Sequence, residues 1–251
     1  MRRSPGYGSS VSFGPGPLSD TLKLLIGANV AMFIASEVVG RALQITFFRT
    51  TLALQPDAVF PFQIWRLVTY MFLHGDPIHL LFNMLALWMF GTELERIWGQ
   101  RYFLRYYFIT GIGAAALTVL FSFLPLSVAE QLRYTNVIGA SGAVYGLLLA
   151  YALYFPDRQI LMMMIFPMAV KYAVIIMGAL AFYSSLADNN GVANATHLGG
   201  LLVGYLMLKG ARLHPLSEAK YWYLRWKMNR VRKKFDVYQG GRSDGWNKRI
   251  H

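Results

Sequence analysis

Four polar side chains set in apolar surroundings carry the chemistry open to this chain. They are Ser141 in Gly139-Ala140-Ser141-Gly142, His197 in Ala195-Thr196-His197-Leu198-Gly199-Gly200, and the pair His79 and Asn83 in His79-Leu80-Leu81-Phe82-Asn83. A serine hydroxyl is a weak nucleophile until a positioned base accepts its proton, and a neutral imidazole suits that task near pH 7. His79 and Asn83, four apart, share one helical face and are of the donor type that stabilises a developing oxyanion. Tyr145, four residues after Ser141, lies on the serine's face, where its ring can support the imidazole. Asp188 stands nine residues before His197 in a predicted loop, so a Ser-His dyad is expected in place of a triad. His74 and His79 are five apart and lack the His-Glu-x-x-His arrangement of helical zinc proteases. No metal site and no cofactor are expected.

These residues need elements to bring them together. The chain has 251 residues, 55% of them hydrophobic and only 14% charged, with no cysteine and a net charge of +12. Such a composition excludes a disordered chain, a disulfide scaffold and thiolate zinc sites. Residues 210–251 hold 11 Lys+Arg and 3 Asp+Glu, a net of +8, whereas the first 209 hold 13 and 9, a net of +4. The chain therefore reads as an apolar body with a short basic tail. The domain boundaries predicted are a flexible leader at 1–19, a membrane domain at 20–210 and a tail at 211–251. About 20 mostly apolar residues cross a bilayer, and candidate spans fall at roughly 22–39, 78–94, 102–124, 137–155, 168–187 and 193–209. The fold class expected is an all-α, polytopic membrane protein with six transmembrane helices, linked in part by loops at 125–136 and 188–192.

Six spans put both termini on one side. Arg2, Arg3, Lys23, Arg96, Arg101, Arg105, Arg158, Lys171, Lys209 and the tail lie on that side, against Arg41, Arg49, Arg66 and Arg133 on the other. The excess of Lys and Arg marks the cytoplasmic face. The second, fourth and sixth spans then all start at the outer level. That places His79 at the start of one, Asn83 a turn deeper, and Ser141 and His197 each about one turn into theirs. Gly142 and Gly146 match Gly200 and Gly204 as GxxxG faces, which let two membrane helices approach closely.

On these residues the chain resembles the rhomboid family of intramembrane serine proteases over roughly residues 60–210. Trp65-Arg66, the run from His74 to Asn83, Glu95-Arg96 with Gly99, the Gly139-Ala140-Ser141-Gly142 signature, and His197 with Gly200 and Gly204 carry the resemblance in order. It implies a six-helix rhomboid-like bundle in which Ser141 is the nucleophile and His197 the general base. His79, Asn83 and the Ser141 backbone N–H would form the oxyanion site, with Tyr145, Gly139, Gly142, Gly200 and Gly204 in support. Trp65 and Arg66 would belong to a lipid-facing loop of mainly structural role. The implied activity is hydrolysis of peptide bonds in or near transmembrane segments of membrane protein substrates, in the inner membrane of a bacterium. A catalytically silent rhomboid-like client-binding protein and a transporter are the rival classes. The serine and histidine argue against the first, and polar residues gathered at one depth argue against the second. In the tail, Leu224, Met228, Val231 and Phe235 form an apolar stripe among Arg and Lys, with Trp222 and Trp226 suited to the headgroup region. This fits a basic segment on an anionic leaflet, and nucleic acid is not expected as a partner.

Overall fold

Ser19 starts the first helix, its hydroxyl accepting the Leu22 N–H at 3.1 Å, with Asp20 in the first turn. This computed structural model describes residues 16–60, 62–162, 166–187 and 191–212. Helix α1 (Asp20–Phe33) continues through a π-helical turn, Ile34–Val39, into the short α2 (Gly40–Ala42). The segment that follows holds α3 (Phe47–Leu52), α4 (Pro56–Val59), α5 (Arg66–Thr69) and a 3-10 turn at Tyr70–Phe72. Then come α6 (Pro77–Trp98), α7 (Gln100–Ser122), α8 (Ser127–Tyr134), α9 (Ser141–Tyr154), a two-stranded antiparallel hairpin of β1 (Gln159–Met162) and β2 (Phe166–Ala169), α10 (Val170–Ala187) and α11 (Gly191–Arg212). The chain divides into the units Met1–Leu208 and Lys209–His251, and the candidate site lies within the first.

The protein is mostly helical, and α1, α6, α7, α9, α10 and α11 are its longest elements among the described residues. Asp20–Ala42 and Gln100–Ser122 are long and apolar enough to cross a membrane, while Ser141–Tyr154 and Val170–Ser184 are shorter apolar helices. α6 has the length but carries Glu93, Glu95 and Arg96 near its end. The core runs between α6, α7 and α9 and is filled by Leu87, Leu94, Phe103, Tyr106, Tyr107 and Leu147. Large apolar side chains also face outward, among them Leu24, Ile175, Leu180 and Phe182. A sheath of this kind is what a lipid-facing surface presents.

Several elements differ from the reading of the sequence. Residues 125–136, expected as a loop, contain α8, whose Arg133 reaches the Ser122 carbonyl at 3.2 Å and the Phe123 ring. The hairpin was not foreseen, because its strands Gln-Ile-Leu-Met and Phe-Pro-Met-Ala are too short to show alternation. Residues 16–18 and Ser19 pack on α6: Ser19 Oγ donates to Glu95 at 2.5 Å and Trp88 Nε1 to the Gly16 carbonyl at 3.3 Å. The amphipathic stripe read in the tail lies outside the described residues, as does Asp188.

Candidate active site

Each candidate residue owes its place to a local device. α6 begins where Asp76 accepts the His79 N–H at 2.8 Å and Pro77 occupies the first helical position, a preorganised start. His79 is therefore the third residue of the helix. Asp76→Ala should lower stability by about 1 kcal/mol and free the His79 turn, whereas Asp76→Asn, an equally good cap, should be neutral. Thermal unfolding followed by circular dichroism reads the difference.

Ser141 is the first residue of α9, where the sequence reading had put it about one turn in. The reason is Gly139, whose φ of +121° ends the preceding segment abruptly and which only glycine adopts at little cost. A Cβ there would also press on His79 Nε2. The loop is pinned from two sides. Val137 and Leu54 exchange backbone hydrogen bonds of 2.8 and 3.0 Å, and the Gly139 N–H donates to the Tyr70 carbonyl at 2.9 Å. Tyr70 is itself fixed, because its hydroxyl donates to the Gly111 carbonyl at 2.8 Å. Upstream, buried Arg66 donates to the carbonyls of Ala53 and Thr50 and to Gln63 Oε1, and Trp65 Nε1 donates to the Thr51 carbonyl. Leu54, Tyr70 and Val137 were not singled out from sequence, and nothing in their spacing signals the pairing.

The glycine faces meet. A Cβ on Gly200 would collide with the Gly142 carbonyl, and one on Gly204 would lie 2.6 Å from the Tyr106 hydroxyl and 3.1 Å from Gly146 Cα. With α9 and α11 in backbone contact, His197 Nε2 lies 2.7 Å from Ser141 Oγ. His197 is the seventh residue of α11, nearly two turns in. Tyr145 stacks on it, with ring centroids 4.2 Å apart and planes 5° from parallel. The other ring nitrogen, Nδ1, is buried with no hydrogen-bond partner among the described residues. On the same turn Thr196 Oγ1 lies 2.9 Å from Thr118 Oγ1 of α7.

His79 and Asn83 both lie on α6, with His79 beside the loop that leads into the serine. Gly139, two residues before Ser141, packs against the His79 ring. The Asn83 amide donates one of its hydrogens to the His79 carbonyl at 2.9 Å, leaving the other for a second acceptor. Ala140 caps α9 without a side-chain acceptor, so first-turn N–H groups at the serine are left for an anion. His74, in the loop before α6, is fully buried and meets the His79 ring edge-on at 5.0 Å. Burial, and next to it the His79 ring, push its imidazole down to about 4, so it stays neutral at physiological pH. Among the described residues no cluster of three metal-ligating side chains occurs.

A serine thus lies within hydrogen-bond distance of an imidazole between close-packed helices whose outer surface is apolar. The chain belongs to the rhomboid family: the family model described as the rhomboid domain matches residues 61–212. Similar curated proteins include the rhomboid protease AarA of Providencia stuartii, 33% identical over 154 residues that cover 57% of this chain and 54% of that one. The rhomboid protease GluP of Bacillus subtilis is 30% identical over 182 residues, 72% of this chain and 33% of that protein. RHOMBOID-like protein 2 of Arabidopsis thaliana is 31% identical over 188 residues, 70% of this chain and 51% of that protein. The chain thus spans about half the length, or less, of these relatives.

Proposed function

We propose that the chain is an intramembrane serine protease that hydrolyses peptide bonds in or near transmembrane segments of membrane protein substrates, with Ser141 as nucleophile and His197 as general base. The observation that carries this reading is the 2.7 Å contact between His197 Nε2 and Ser141 Oγ. As Oγ attacks the scissile carbonyl, its proton passes to Nε2. The carbonyl oxygen becomes an oxyanion, and in this reading the Ser141 N–H, His79 and Asn83 are its donors. Collapse expels the amine of the departing segment, which takes the proton from Nε2 and leaves an acyl-enzyme on Ser141. A water molecule then repeats the sequence and frees the carboxylate, restoring the serine.

In this reading residues 20–210 form six transmembrane helices, α1, α6, α7, α9, α10 and α11, with both termini cytoplasmic and residues 211–251 as a basic tail on an anionic leaflet. The active-site ends of α6 and α9 then open to the outer surface, the route by which water reaches the serine. A fluorophosphonate probe tests the nucleophile directly. It should label the wild-type chain in liposomes, should not label Ser141→Ala, and should label His197→Ala at a small fraction of the wild-type rate. Undiminished labelling of Ser141→Ala would overturn the assignment.

A further inference from the structure

Among the described residues the base in this site has no orienting partner of the usual kind. His197 Nδ1 meets no hydrogen-bond acceptor among the described residues, and the Tyr145 ring it stacks on fixes the imidazole plane but permits sliding within it. The aim of Nε2 at Ser141 Oγ must then come from the placement of α11 itself. Glycine contacts set the distance of α11 from its neighbours but leave its rotation loosely held. Gly199 lies against Ala114, Gly200 against Gly142 and Gly204 against Gly146, and such smooth faces allow close approach while offering little resistance to rotation.

A directional bond sits on the same turn. Thr196 and Thr118 are each 1% exposed and their hydroxyl oxygens are 2.9 Å apart. Thr118 donates its single hydroxyl hydrogen to the Ala114 carbonyl at 2.9 Å. Its oxygen is therefore the acceptor and Thr196 the donor, giving a chain from Thr196 through Thr118 to the α7 backbone. The lever arm is short. A side-chain atom lies roughly 5–6 Å from a helix axis, so a rotation of about 10° moves it by ~1 Å. A displacement of that size costs on the order of 10²-fold in rate at a reacting pair.

We infer that Thr118 and Thr196 are positioning residues whose hydrogen bond sets the rotation of α11 and thereby holds His197 within reach of Ser141. The inference rests on the serine–histidine reading given above. It is tested on the full chain in liposomes by saturation kinetics of fluorophosphonate labelling, which separate the limiting rate from the probe's apparent affinity. Thr196→Val and Thr118→Val should each lower the limiting rate about tenfold or more, with apparent affinity within about twofold of wild type. The double variant should be no slower than the slower single one, since both remove one bond. Thr196→Ser keeps the donor and should restore most of the rate.

A wild-type rate in both valine variants, with Ser141→Ala unlabelled, overturns the positioning role and leaves the nucleophile standing. A valine variant whose labelling falls only with its thermal midpoint, unrescued by serine, also overturns it, since the bond then serves the fold alone. If the wild-type chain itself does not label, both readings fail together.

Discussion

Ser141→Ala and His197→Ala should each reduce cleavage of a transmembrane reporter in proteoliposomes by roughly 10³-fold or more, and the double variant should be no slower than either single one. The reasoning is that the two side chains act as one unit. The hydroxyl is useless without a group to take its proton, and the imidazole has nothing to activate without the hydroxyl, so the second removal has little left to remove. The 2.7 Å separation makes that proton transfer a single step. His197→Phe sharpens the test. It keeps an aromatic ring to stack on Tyr145, now 4.2 Å from the imidazole, yet it cannot accept a proton. If the histidine acted only as a packing element, His197→Phe would retain activity; the general-base reading predicts it to be as inert as His197→Ala. Full activity in any of these variants sinks the mechanism.

Gly200→Ala is the second large effect, and it comes from one methyl group. The added Cβ would run into the Gly142 carbonyl, which is backbone and cannot swing aside. The added carbon would start 2.0 Å from that oxygen, and because carbon–oxygen contacts become favourable only near 3.3–3.6 Å, relief requires α9 and α11 to separate by roughly 1.5 Å. That shift has two costs. Overpacking of this kind destabilises by typically 1–3 kcal/mol, and the same movement carries His197 away from Ser141, for roughly a further 10²-fold in rate. Gly27→Ala is the matched control. It lies in α1 with nothing within 4 Å of the added carbon, and alanine is the better helix former by about 1 kcal/mol. Cleavage and thermal midpoint should therefore both fall for Gly200→Ala and be unchanged or raised for Gly27→Ala. Equal behaviour of the two would mean that the glycine face does not set the helix spacing.

The sequence made the long helices legible because a 20-residue apolar run has few other uses. The predicted spans at 102–124 and 168–187 differ from α7 and α10 by no more than two residues at either end. The candidate site was legible for a related reason: a serine, two histidines and an asparagine in apolar helices are costly, and GxxxG faces show which helices approach. What stayed hidden depends on contacts between residues far apart in the chain. The bridge between Leu54 and Val137 joins residues 83 positions apart, and neither residue type announces it. Thr118 and Thr196 resemble any threonine in an apolar helix until α7 and α11 are brought together. The start of α9 was misplaced by about a turn because hydropathy runs smoothly through Val137, Ile138 and Ala140. The break comes from the backbone angle at Gly139, which hydropathy does not see.

The length of α9 has a consequence for where a substrate is cut. Its 14 residues measure about 21 Å along the axis, whereas the hydrocarbon layer of a bilayer is about 30 Å thick. In the proposed orientation, with its far end at the inner boundary, the helix stops about 9 Å short of the outer one, and its first residue is the serine. The helix works as a depth gauge. A helical segment entering from the side meets the hydroxyl some six residues in from its outer end at 1.5 Å per residue. In a thicker bilayer the same hydroxyl would meet a bond further along the segment. Cleavage position would therefore report bilayer thickness as directly as it reports sequence preference.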